Sequence, residues 1–130
     1  MTIVLLRHGS AGDRDRWAGD DRLRPLDKRG RRQAEALRDI LLARGVTRAL
    51  SSPYLRCTQT LAPLGLDIEP DERLAEGASA DDARALLLES DGAVASTHGD
   101  VIENVIGFSI KKGAAVVLDR LHVVDRIDAP

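Results

Sequence analysis

One cysteine, Cys57, stands among the 130 residues of this chain. That excludes an intrachain disulfide and a thiolate metal cluster alike. Aromatic side chains are almost as scarce, with Trp17, Tyr54 and Phe108 forming the whole set. Any core must therefore be built from Leu, Ile, Val and Ala. Neither charge dominates: 19 Lys and Arg face 21 Asp and Glu, for a net charge of -2. Such a balance gives no electrostatic reason to bind nucleic acid or an anionic membrane. No apolar run approaches the roughly 20 residues of a membrane-spanning helix. The chain also enters its first apolar stretch without a basic leader, so a cytoplasmic protein is expected.

Hydrophobic residues at 43% and charged residues at 31% are ordinary for a globular protein, and the length suits one domain over residues 1–130. Strand and helix patterns alternate along the chain, which predicts an α/β domain with a central, mostly parallel sheet and helices on both faces. Ile3-Val4-Leu5-Leu6 reads as a buried central strand. Asp27 suits the N-cap of a helix running to about Arg44, with Ala34, Leu37, Leu41 and Leu42 at helical spacing and Gly45 as the stop. Arg48 to Ser51 is a second strand, and Ser52-Pro53 reads as the cap and first position of a helix closed by Gly65. Ser79 with Asp82 resembles a capping box for a helix over Ala80 to Glu89. Gly92 to Ser96 is a third strand, and Ala114 to Leu118 with His122 to Ile127 form a terminal hairpin around Asp119-Arg120.

In open α/β sheets, ligands bind outside the carboxyl ends of the strands. Arg7-His8-Gly9 and Thr97-His98-Gly99 both fall at such ends, and Arg56 opens the helix that follows another strand. These residue types suit attack on phosphorus. A neutral imidazole can displace a leaving group and hold the phosphoryl group covalently. Arginines grip the nonbridging oxygens by paired hydrogen bonds. A second histidine, protonated by anionic surroundings, can donate to the same group. A carboxylic acid near the leaving atom serves as acid and then as base toward water. Cations do the work a metal would do, so neither metal nor cofactor is expected.

Arg7-His8-Gly9, the segment from Ser51 to Thr60, and Thr97-His98-Gly99 together resemble the three signatures of the histidine phosphatase superfamily, the phosphoglycerate-mutase-like group. The stretch Arg24 to Gly30, leading into Gln33-Ala34, is similar to the small SixA-type branch of phosphohistidine phosphatases. It is also similar to histidine-phosphatase domains fused to Nudix hydrolases. The resemblance implies a three-layer α/β/α fold and a metal-independent phosphatase with His8 as the phosphorylated nucleophile. Arg7, Arg56 and His98 complete the phosphate pocket, and Glu76 takes the place where many members keep the acid. Larger members carry an asparagine several residues after the first signature, where this chain has Gly12 to Arg16. There is little room for the insertions that cap the site in sugar-phosphate enzymes, which argues against a mutase. The resemblance implies a phosphorylated protein as partner, or a small phosphorylated substrate such as a nucleotide. A noncatalytic phosphate-binding module is the reading from another class.

Three further features remain. Ser10 to Leu26 is long for a connection, and it interleaves Arg14, Arg16, Arg22 and Arg24 with acidic residues. It reads either as a solvated zwitterionic loop or as a mobile lip, with Trp17, touching substrate beyond its phosphate. Asp71, Glu72 and Asp81 compete with Glu76 as the acid. Cys57 reads as a small buried residue and His122 as a strand residue without a chemical role.

Overall fold

Ile3-Val4-Leu5-Leu6 has no polar face, and the strand it forms is accordingly covered on both sides. The computed structural model describes residues 1–130 and places this strand, β1 (Thr2–Arg7), inside a six-stranded sheet. The other strands are β2 (Arg48–Ser51), β3 (Ile68–Pro70), β4 (Ala93–Thr97), β5 (Ala115–Asp119) and β6 (His122–Ile127). Their order is β3-β2-β4-β1-β5-β6. Pairing is parallel from β3 through β1 and antiparallel across β5 and β6. The expected α/β architecture is present, with the terminal hairpin as its antiparallel edge.

Side-chain alternation sends each strand's residues to two separate cores. Val4, Leu6, Ala49 and Val94 pack under α1 (Lys28–Ala43) and α2 (Leu55–Leu61), against Leu37, Leu41 and Leu61. Ile3, Leu5, Leu50 and Ala95 face α3 (Ala80–Leu88) and α4 (Gly99–Ile106), against Leu86, Leu87, Val101 and Ile102. No helix is long and apolar enough to cross a membrane.

Asp27 and Ser79 cap their helices as expected, accepting from the backbone N–H of Gly30 and Asp82. Three local readings need correction. α2 begins at Leu55 with Tyr54 as its cap, and the Ser52 hydroxyl meets the Tyr54 N–H and His98 instead of capping the helix. The hairpin turns on Arg120 and Leu121, both at positive φ (47° and 68°), one residue later than expected. Finally, β3 and α4 are additional elements. The register levels Arg7 with Thr97, and Ser51 with Ser96. The carboxyl ends of β1, β2 and β4 thus open on one place.

Candidate active site

His8 and His98 each follow the last residue of a strand, β1 and β4 respectively. Their rings meet edge to face with centroids 5.4 Å apart. The His8 Nδ1 lies 2.8 Å from the Gly9 carbonyl. A carbonyl only accepts, so Nδ1 carries the proton and Nε2 keeps its lone pair. The His98 Nε2 lies 2.8 Å from Ser52 Oγ, which already accepts from the Tyr54 N–H. The Ser52 hydroxyl thereby anchors the edge of the His98 ring.

The loop after the nucleophile is fastened from below. The Gly9 N–H donates to Thr60 Oγ1 and the Ser10 N–H to Gln33 Oε1. Asp27 accepts from the Ser10 hydroxyl and the Gly12 N–H while it caps α1. Gly30 makes this possible, since a Cβ there would stand 1.9 Å from the Ser10 carbonyl oxygen. Gly9 packs tightly on Gly30 and Gln33 of α1, where a Cβ would come within 3.2 Å of both.

Arg56 is completely buried (0% exposed). Its two terminal nitrogens donate to the Asp21 carbonyl and carboxylate, at 2.8 and 3.0 Å, and more weakly to Glu76 at 3.4 Å. Arg7 donates to the Ile110 carbonyl at 2.7 Å. Its guanidinium rests on the backbone at Gly99, where a Cβ would come within 2.9 Å. Two buried side-chain polar atoms in the protein lack a protein partner, and they are the Nε–H groups of these two arginines. Buried donors of that kind carry a real cost.

Burial pulls the His8 imidazole down to about 3, with His98, Arg56 and Arg7 adding to the effect against the hydrogen bond to Gly9. Burial likewise takes His98 down to about 3, helped by Arg56 and Arg14. In the ligand-free protein the charges around His98 are mostly cations, with Asp21 opposing them, and burial favours the neutral ring. Burial works against the Asp21 carboxylate, but Arg24 and Arg56 outweigh it and hold its pKa below the usual range. Cys57 is buried beside His98, at 3.5 Å from Nε2, and burial pushes its thiol up to about 12.

These groups line an open cleft of about 390 Å³ with no hydrophobic residue on its walls. Arg7, His8, Glu76 and His98 all face it, with Arg56 buried behind. Glu76 is bonded to Arg14 and Arg56. Its rivals lie elsewhere: Asp71 is held by Arg73, Glu72 by Arg22, and Asp81 by Arg84. The Ser10–Leu26 loop divides in two. Arg14 and Arg24 line the cleft and Asp21 holds Arg56, whereas the Arg16 side chain is 89% exposed and Trp17 lines a neighbouring groove. Sequence reasoning missed Asp21 as a partner of Arg56, Ser52 as a partner of His98, and Lys112 as a wall of the cleft. No group of three or more His, Cys, Asp or Glu side chains is placed to hold a metal ion.

The family model of the histidine phosphatase superfamily (branch 1) matches residues 3–81. The chain belongs to that superfamily. The match takes in Arg7, His8, Arg56 and Glu76 and stops short of His98. Among histidine phosphatases of known structure, the protein histidine phosphatase SixA complexed with tungstate superposes with a TM-score of 0.79, at 23% identity over 98% of this chain and 97% of that one. A protein from Agrobacterium tumefaciens assigned as a phosphohistidine phosphatase SixA gives 0.77, at 25% identity over 99% and 97%. The 8-oxo-(d)GTP phosphatase of Mycolicibacterium smegmatis is 45% identical, over 81% of this chain and 36% of that protein. The chain thus spans about a third of the length of that curated relative.

Proposed function

We propose that this chain is a metal-independent phosphatase, acting in the cytoplasm, that works through a covalent phosphohistidine at His8. The observation that carries the reading is the tautomer of His8. With its proton fixed on Nδ1 by Gly9 and its pKa drawn down to about 3, Nε2 is an unprotonated nucleophile at neutral pH. Nε2 attacks phosphorus, the P–N bond forms, and the P–O or P–N bond to the leaving group breaks. The Nε–H groups of Arg7 and Arg56, which have no protein acceptor, receive the nonbridging oxygens, and His98 donates a ring N–H to the same group. Glu76 gives the leaving atom its proton, then takes one from the water that attacks the phosphohistidine. Inorganic phosphate departs and His8 is restored.

An uncapped cleft suits a phosphoryl group presented from outside, and a phosphohistidine on a protein is the first substrate reading. It is supported by the fold shared with SixA. Nucleotides and small phosphoesters are the second. Cations on the cleft wall beyond Arg7 and the relative named for a nucleotide favour it. The test of the reaction is hydrolysis of an aryl phosphate in EDTA by wild type, His8→Ala and Glu76→Gln. Turnover that survives EDTA and disappears in His8→Ala supports the mechanism. Turnover lost to EDTA refutes it, and phosphate binding without any turnover would leave the chain a binding module. Glu76→Gln should cost ~10²-fold in kcat, the usual size of a lost general acid.

A further inference from the structure

Acids and bases both line the cleft. Glu76, Asp100 and Glu103 are the acids, and Arg14, Arg24 and Lys112 are the cations beyond Arg7. Every arginine in this set has a protein acceptor. Arg7 donates to Ile110, Arg14 to Glu76, and Arg24 to Asp21 and the Ala11 carbonyl. The Lys112 ammonium has neither a hydrogen bond nor a carboxylate within ion-pair distance. Its charged surroundings are mostly other cations: burial and then Arg7, Arg24 and Arg56 lower its pKa, with Asp27 opposing them.

The Lys112 side chain is exposed, but its backbone does not sit on a loose loop. Gln33, itself buried, donates from Nε2 to the Lys112 carbonyl at 3.1 Å while its Oε1 accepts from Ser10 at 2.8 Å. The next residue, Gly113, donates to both the Arg7 and His8 carbonyls at 3.1 Å. It does so at φ +84°, where a Cβ would strike the Gln33 amide at 2.9 Å. One glutamine thus ties the backbone of Lys112 to the loop that follows the nucleophile. An unpaired cation held among like charges at the mouth of a phosphate pocket is stabilised by an anion. The transferred phosphoryl group already has the two arginine Nε–H groups and His98.

We propose that Lys112, with Arg24, forms a second anion subsite beside the phosphoryl pocket, and that the substrate is a phosphoanhydride such as the terminal phosphoryl of a nucleoside di- or triphosphate. This rests on the phosphatase reading and takes its second substrate class over a protein phosphohistidine. In the reaction the His8 Nε2 bonds to the terminal phosphorus and the anhydride P–O bond breaks. Its electron pair leaves on the oxygen of the penultimate phosphate, and Lys112 meets that charge. A phosphate leaving group is a weak base, so it needs less help from an acid, which suits a Glu76 tied to Arg14 and Arg56.

The test is calorimetric and does not depend on turnover. Methylenediphosphonate, a diphosphate that cannot be hydrolysed, and inorganic phosphate are titrated into wild type, Lys112→Met and Lys112→Arg. Wild type should bind the diphosphonate at least tenfold more tightly than phosphate. Lys112→Met should shrink that ratio about tenfold, and Lys112→Arg should retain most of it. A wild-type ratio near one, or a ratio unchanged in Lys112→Met, overturns the subsite. So does a higher kcat/KM on a phosphohistidine protein than on a nucleoside diphosphate. The phosphatase reading fails separately, by the EDTA and His8→Ala experiment.

Discussion

Acid should destabilise this protein through its two site histidines, well above the pH at which carboxylates begin to titrate. Both imidazoles are held at about 3 when folded, against an ordinary value of 6.5. Below about pH 6.5 the unfolded chain takes up a proton on each ring that the folded protein refuses until about pH 3. Stability is therefore full above the unfolded value and is lost as pH falls toward the folded one. Between about pH 7.5 and pH 5 each histidine removes ~2 kcal/mol, and the pair ~4 kcal/mol, from a total that for a domain of this size is only ~5–15 kcal/mol. Asp21, Asp27 and Asp71 are all held below their ordinary values, so they stay ionised in that window. The assay is urea unfolding across that range for wild type, His8→Asn, and the double variant with His98→Asn, since asparagine does not titrate. The expected losses are ~4, ~2 and near 0 kcal/mol respectively. A wild-type loss below ~1 kcal/mol, or an equal loss in the double variant, would refute the claim that both rings are buried neutral.

Three perturbations probe the arrangement around those rings. Asp21→Asn takes the charged acceptor from behind Arg56, so kcat/KM on an aryl phosphate should fall ~10-fold or more; parity with wild type would show that Arg56 orients itself. Gly99→Ala places a methyl group within 2.9 Å of the Arg7 guanidinium, which can swing away while the fold survives. Its expected signature is a large loss of activity with thermal unfolding shifted by only a few degrees. Arg16→Ala should leave kinetics unchanged, because that side chain is 89% exposed and off the cleft; a raised KM would restore it to the substrate lip.

Much of this site was legible because its parts sit next to strand ends, where position in sequence and position in space coincide. His8, Arg7 and His98 are read directly from the runs that precede them, and Arg56 from the strand-to-helix step. The long loop after His8 was harder. Its arginines and aspartates alternate almost evenly, and only the fold separates Asp21, turned in to Arg56, from Arg16, turned out to water. Lys112 gave no signal at all, since its partner Gln33 lies 79 residues away and reads as an ordinary helix position. Ser52 was misread for a related reason. A serine before a proline looks like a cap, and nothing local reveals that its hydroxyl is spoken for by a histidine on another strand. The charge of His98 was inferred from the ligand it would meet, whereas without ligand burial and the nearby arginines favour the neutral ring.

In the proposed cycle, the two arginine Nε–H groups without a protein acceptor would not distinguish a phosphoryl group that has just arrived from the inorganic phosphate that has just been made. Both satisfy the same donors, and the leaving phosphate is the smaller and more mobile of the two. Escape of product, rather than cleavage, is then the natural brake on the catalytic cycle. Free phosphate in the cell would compete at the same donors, so that turnover would follow the surrounding phosphate concentration even when substrate is abundant.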